Sequence, residues 1–69
     1  MKHHIFHDFY GCEAHIWEQD DGTANLVIYS GHSCHAVMIH DKFYNSFRGA
    51  RIALGIFSDG TAKELKGVN

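Results

Sequence analysis

Histidine and cysteine are the residues of this chain with the widest chemistry. The chain contains seven histidines and two cysteines. The histidines, all within the first 40 residues, are His3, His4, His7, His15, His32, His35 and His40. Imidazole and thiolate are the ligands that zinc prefers in proteins. Predicted turns at Gly11-Cys12 and Gly31-His32 lie at the same end of the predicted sheet. Cys12, His32 and Cys34 are therefore the candidate metal ligands.

The spacing of these candidates matches none of the paired-cysteine patterns that identify zinc sites. Neighbouring side chains on a strand point to opposite faces, so Cys34 and His35 cannot share an ion within regular strand. We therefore favour ordinary surface and strand histidines, with Cys12 and Cys34 as small apolar residues and no cofactor. Because unperturbed imidazoles titrate near pH 6.5, mild acid would also change the net charge.

Catalysis by side chains has little support in the sequence. A nucleophile made from one cysteine and a nearby histidine is conceivable. The chain contains no Gly-x-Gly-x-x-Gly and no phosphate-binding loop, and its adjacent carboxylates, Asp20 and Asp21, are explained by a turn. An enzyme also needs a concave pocket with supporting groups, for which one sheet and one helix leave little volume. We expect a protein that is not an enzyme.

Length and charge restrict the function classes further. A single domain of 69 residues has a small core, and domains below roughly 70–80 residues often need a metal, a partner or very good packing. The formal net charge is −2, which gives no general attraction to nucleic acid or to anionic membranes. The first 40 residues carry one Lys against five acidic residues, whereas the remainder carries five cations against three acidic residues.

Nucleic-acid binding is an alternative that rests on aromatic side chains and helix arginines. The aromatic residues of the predicted sheet are Phe6, Phe9, Tyr10, Trp17 and Tyr29. Such rings can stack on bases, and Arg48 and Arg51 could contact phosphate. Since the aromatics are not interleaved with Lys or Arg and lie in the acidic half, this alternative is disfavoured.

The chain carries no recognisable export or membrane signal. Met1-Lys2-His3-His4 leads directly into an alternating pattern, without the apolar segment of a signal peptide. No apolar run approaches the roughly 18 residues of a membrane span. We expect a cytoplasmic protein with two reduced thiols and no membrane partner.

Alternating and β-prone segments predict an antiparallel meander of three to four strands, with candidate strands over residues 5–10, 13–20, 23–30 and 34–40. Asp21-Gly22 is a strong hairpin signal, which we interpret as a two-residue type I′ loop. That loop would place Trp17 opposite Leu26, Ile16 opposite Val27 and His15 opposite Ile28. One face of the sheet would then carry Ala14, Ile16, Val27 and Tyr29, and the other Trp17, Leu26, Ile28 and Val37. Both faces would be apolar.

A helix is predicted after the meander, with Asp41 as its N-cap. Its apolar stripe consists of Phe43, Phe47, Ala50, Leu54 and Phe57. A competing interpretation makes residues 52–58 and 61–65 a second hairpin around Asp59-Gly60. We favour the helix, which gives an α+β domain with one C-terminal helix packed on the sheet. Residues 60–69 are expected to be a loosely held tail.

Ile52 and Ile56 point away from this stripe, where a helix on a sheet should be polar. With Tyr44, Arg48 and Arg51 they are the candidate partner-binding residues, because Tyr and Arg are typical interface anchors. If residues 52–57 were instead a strand, both isoleucines would be buried. Small chains often act as inhibitors, adaptors or regulators, including in phages and mobile elements. We therefore expect a protein-binding module or a homodimer.

Overall fold

A computed structural model describes residues 2–31 and 36–65. These residues form β1 (Lys2–Phe9), β2 (Cys12–Glu18), β3 (Ala24–Ser30), β4 (Val37–Tyr44), α1 (Phe47–Ser58) and β5 (Lys63–Glu64). The strands make one antiparallel sheet in the order β4-β3-β2-β1-β5. The predicted α+β class, a meander of four strands followed by one helix packed on the sheet, is confirmed. We call the helix side of the sheet the inner face and the opposite side the outer face.

The β1–β2 hairpin turns on Tyr10 and Gly11, which have φ angles of 54° and 68°. Positive φ at both central residues is the requirement of a type I′ turn. Just before it, an irregularity lies between Phe6 and Phe9, where Asp8 has φ 66°. Strict alternation would place Phe9 on the outer face, whereas this extra residue turns it inward, where it is 1% exposed.

The β2–β3 loop differs from the predicted two-residue turn. The Gly22 N–H donates to the Gln19 carbonyl at 3.2 Å, and the Gln19 N–H donates to the Thr23 carbonyl at 2.8 Å. With Gly22 at φ 92°, this is a three-residue loop in which a tight turn is followed by glycine in the left-handed region. The Asp21 carboxylate accepts from the Thr23 N–H and hydroxyl at 2.9 and 2.7 Å. These bonds favour the longer loop.

The longer loop moves the register by one residue. Ile16 pairs with Leu26, and His15 pairs with Val27. A slip of one residue exchanges the two faces of a strand, so the predicted face sets are wrong. The aliphatic residues Ala14, Ile16, Ala24, Leu26 and Ile28 share the inner face, where each is at most 1% exposed. Apart from Val27, which is 8% exposed on the outer face, the buried aliphatic residues of the sheet therefore share one face, and one helix is enough to cover it.

Strand β4 continues past the predicted helix start. Asp41 pairs with Val27 and Tyr44 pairs with Ala24, so Asp41 is not the N-cap. The helix is capped instead by Ser46, whose hydroxyl accepts from the Gly49 N–H at 3.1 Å. Phe43 consequently lies in the strand and is 63% exposed. The ladder continues because β3 supplies a partner as far as Ala24, and Ser46 caps a helix as well as aspartate does.

The helix itself is confirmed through Ser58, and the alternative hairpin over residues 52–65 is wrong. Asp59 ends the helix in the left-handed conformation, and the Gly60 N–H donates to the Gly55 carbonyl at 2.9 Å. Ala50, Leu54 and Ser58 form the buried side of α1. They complete a core whose largest buried members on the sheet are Phe6, Phe9, Ile16, Leu26 and Ile28.

Part of the predicted tail is attached to the sheet. Glu64 pairs with Phe6 and Lys63 with His7, while the Leu65 N–H donates to the Ile5 carbonyl at 2.8 Å. Ala62 is buried beside them. Residues 66–69 of the predicted tail lie outside the described residues. The short strand β5 thus covers the free edge of β1, whereas no described strand covers the outer edge of β4.

Candidate functional site

The solvent side of α1 carries an apolar strip. Ile52 and Ile56 are 55% and 76% exposed, as the helical pattern predicts, while Ala50 and Leu54 on the other side of the helix are fully buried. Arg48, one turn earlier, is also exposed. Spacing of four residues places all three side chains on one face of the helix. We call Arg48, Ile52 and Ile56 the helix strip.

The other two predicted partner-binding residues are placed elsewhere. Tyr44 ends β4 rather than lying on the helix, and its ring lies 5.5 Å from Lys42 Nζ. Its hydroxyl is 3.2 Å from His40 Nε2. The Arg51 guanidinium lies 4.8 Å from the centre of the buried Phe6 ring. Both side chains are half-buried, so the structure does not gather all five residues on one surface.

The outer edge of β4 is a second exposed apolar surface. Val37, Met38, Ile39 and Phe43 are 62%, 50%, 47% and 63% exposed. We call the side of β4 that faces away from β3, from Val37 to Tyr44, the open edge. Sequence reasoning missed it because Phe43 was assigned to the helix core. The signal that could have revealed it is that residues 37–44 are β-prone without any glycine or proline.

Two imidazoles, those of His3 and His15, are hydrogen-bonded to each other on the outer face. The Glu13 carboxylate accepts from His15 Nε2 at 2.6 Å, and His15 Nδ1 is 2.7 Å from His3 Nε2. A neutral His15 that donates through Nε2 must accept through Nδ1, so His3 is the donor to it. The His3 ring stacks on Trp17, with 3.5 Å between centroids. Burial, followed by the proximity of His15, lowers the pKa of His3.

A different histidine environment lies on the inner face. His4 Nε2 is 2.6 Å from a Glu18 carboxylate oxygen, His4 Nδ1 is 3.0 Å from one of Glu64, and the ring packs against Phe47. Burial alone would lower the pKa of His4, but the hydrogen bonds to Glu64 and Glu18 outweigh it, and the pKa is raised. Because carboxylates only accept, both ring nitrogens donate and the imidazolium is the form that fits.

Of the three predicted zinc ligands, only Cys12 lies among the described residues. The Gly31 N–H donates to the Gly11 carbonyl at 3.3 Å, so the two turns do meet as predicted. Cys12 lines an open cleft of about 320 Å³ there, with His7, Asp8 and Glu13. His32 and Cys34 lie outside the described residues. Among residues 2–31 and 36–65, no three potential ligands are grouped to hold a metal.

The surface proposed for nucleic acid is divided by the sheet. Phe6 and Phe9 are buried in the core and cannot stack on bases. Trp17 belongs to the outer face, where the carboxylates of Glu13 and Asp41 also lie according to the strand register. The helix, with Arg48, is on the inner face. Trp17 and Arg48 therefore do not share one surface.

In the part of the chain that the structure describes, no helix is both long enough and apolar enough to cross a membrane. No protein-family model, curated protein or solved structure matches this chain.

Proposed function

We propose that this protein is a non-enzymatic protein-binding module that contacts a larger protein through the helix strip. The observation that carries the proposal is the 76% exposure of Ile56 on a helix whose other side buries Leu54 completely. The isoleucine does not stabilise the domain by burial. Contiguous exposed apolar side chains are typical of interaction sites.

The helix strip has the chemistry of an anchor that lies in a groove. Apolar side chains at positions i and i+4 of one helix face, as Ile52 and Ile56 are, belong to the usual contacts when a helix binds a hydrophobic groove. Burying one isoleucine side chain contributes about 1.5–3 kcal/mol. The exposed guanidinium of Arg48 is suited to a carboxylate at the rim of such a groove. The partner we expect therefore has an apolar groove with an acidic rim.

Occlusion of such a groove is the simplest way for a chain of 69 residues to act. A bound helix would exclude the groove's other ligands, which makes inhibition or regulation the expected outcome. An adaptor role would require a second surface, and the open edge supplies one. These roles agree with the small size of the chain.

Site-specific photo-crosslinking in the native host tests the proposal. A photoreactive amino acid at Ile52 should link one defined protein, and the link should disappear when Ile56→Asp is added. The matched control carries the photoreactive residue at Leu65, which is 44% exposed and belongs to neither the helix strip nor the open edge. Circular dichroism of Ile52→Asp/Ile56→Asp should show a folded protein. An unfolded double variant, or equal capture of the same protein from Leu65, would overturn the proposal.

A further inference from the structure

The two edges of the sheet are treated differently. The short strand β5 covers part of β1, whereas the open edge has no described partner strand. Natural proteins protect such edges with charged side chains, proline, short strands or bulges. Here the strand has eight residues and no proline, its bulge lies near Ile39, and its charged residues are Asp41 and Lys42. The segment beyond the bulge, which ends at Tyr44, is therefore available for pairing with another strand whose charges are complementary.

The hydrogen-bond pattern shows which residues of β4 face outward. At the two ends of the β2–β3 ladder, the Gln19 N–H donates to the Thr23 carbonyl and the Gly31 N–H donates to the Gly11 carbonyl. Because antiparallel bonding alternates, the odd-numbered residues of β3 bond β2 and the even-numbered ones bond β4. Their partners on β4 are Tyr44, Lys42 and His40. The peptide N–H and C=O groups of Asp41 and Phe43 consequently point away from the sheet.

We propose that the open edge pairs with the open edge of a second copy of this chain, forming a symmetric antiparallel dimer centred on Phe43. A two-fold axis perpendicular to the sheet keeps inner and outer faces continuous across the pair. It also requires that residues with outward peptide groups pair with each other. Away from the bulge, only registers built on Asp41 and Phe43 satisfy both conditions.

Charge selects one register among these. Pairing Asp41 with Asp41 places two carboxylates opposite each other, and pairing Asp41 with Phe43 places Lys42 opposite Lys42. Like charges directly opposite one another are unfavourable in a sheet. Pairing Phe43 with Phe43 has no like-charged pair. It also buries two rings that are 63% exposed in the monomer.

The Phe43 register is also complementary at its flanking positions. Lys42 lies opposite Tyr44 of the second copy, and within the monomer the same two residues already contact each other, with Lys42 Nζ 5.5 Å from the centre of the Tyr44 ring. Asp41 lies opposite Asn45, whose amide can donate to the carboxylate. The dimer would thus be held by backbone bonds, an aromatic pair, two Lys42–Tyr44 contacts and two Asp41–Asn45 contacts. It uses no residue of the helix strip, so this inference and the proposed function can fail independently.

Sedimentation of the full chain over a wide concentration range tests whether the dimer exists. We expect a reversible monomer–dimer equilibrium, and at least a tenfold weaker dissociation constant in Phe43→Lys. Ile56→Lys is the matched control, since it adds the same charge at another exposed apolar residue; it should leave the equilibrium unchanged. A wild-type protein that stays monomeric, or a Phe43→Lys dimer of unchanged affinity, would overturn the inference.

Cysteine crosslinking tests the register in a Cys12→Ser/Cys34→Ser background. Directly opposed residues in a hydrogen-bonded pair have Cα atoms about 5.5 Å apart, within the span of a disulfide. Phe43→Cys should therefore form a covalent dimer under mild oxidation. Asp41→Cys should not, because the two Asp41 positions would be offset by four residues, about 14 Å. Faster crosslinking of Asp41→Cys than of Phe43→Cys would contradict the register.

Discussion

The Nε2 atom of His4 lies 2.6 Å from a carboxylate oxygen of Glu18. The same ring reaches Glu64 on β5 through its other nitrogen, at 3.0 Å. One imidazole therefore connects β1, β2 and the strand that covers the edge of β1. Its neighbour His3 points to the outer face and meets another histidine instead of two carboxylates. The pKa of His4 is raised and that of its neighbour His3 is lowered. These opposite shifts lead to two predictions with opposite pH dependence.

We expect His4 to stabilise the fold more in mild acid than in base. Its folded pKa is raised above 6.5, so its contribution is complete below that pH and is lost as the pH rises through the folded pKa. His4→Gln should lower the free energy of unfolding by about 1–2 kcal/mol at pH 6, since charged hydrogen bonds contribute on this scale. Urea titrations at pH 6 and pH 8.5 measure the difference. A loss that is equal at both pH values would show that His4 acts without its charge.

We expect the opposite behaviour for His3. Its folded pKa is lowered from 6.5, so the associated stability is present above that value and is lost as the pH falls through the folded pKa. His3→Phe retains a ring over Trp17 but cannot be protonated. The variant should therefore gain stability relative to the wild type between pH 7.5 and pH 5. Thermal unfolding at both pH values tests this, and a difference that does not change with pH would contradict it.

Two glycine substitutions should have opposite effects on stability. Gly22→Ala should destabilise the protein by about 1 kcal/mol, because a left-handed φ disfavours any side chain. Space is not the cause, since an added Cβ at Gly22 meets nothing within 4 Å. Gly55→Ala lies within the helix and makes only an ordinary contact, 3.9 Å from Arg51. It should stabilise by about 0.5–1 kcal/mol. Chemical denaturation of both variants provides the comparison.

Truncations on the two sides of α1 should separate core from surface. Leu54→Ala removes a fully buried side chain and should cost about 2–5 kcal/mol of unfolding free energy. Ile56→Ala, two residues away and 76% exposed, should change stability by less than about 0.5 kcal/mol. Equilibrium unfolding in urea measures both. A large loss for Ile56→Ala would mean that the helix strip supports the fold.

Local patterns were sufficient to predict the meander strands and the helix, although not β5. The hairpin position at Asp21-Gly22 and the exposure of Ile52 and Ile56 follow from neighbours within a few residues. The predicted length of the loop at Gly22 was wrong by one residue, because Asp-Gly occurs in hairpin loops of two residues and of three residues. The choice between them depends on the bonds of Asp21 to Thr23 and on burial summed along both strands. The helix start was misplaced because the pairing of Tyr44 with Ala24 overrode the apolar spacing of Phe43.

The sequence by itself determined the order of the meander strands and the helix, because periodicity and turn residues act over short distances. Only the tertiary structure decided the register, the face of each side chain and the attachment of β5. The pairing of Glu64 with Phe6 and its contact with His4 join segments some sixty residues apart, without any local sequence signature. Such contacts depend on distant segments that come together only in the folded chain. For the same reason only the tertiary structure shows that β5 covers the edge of β1, while no described strand covers the outer edge of β4.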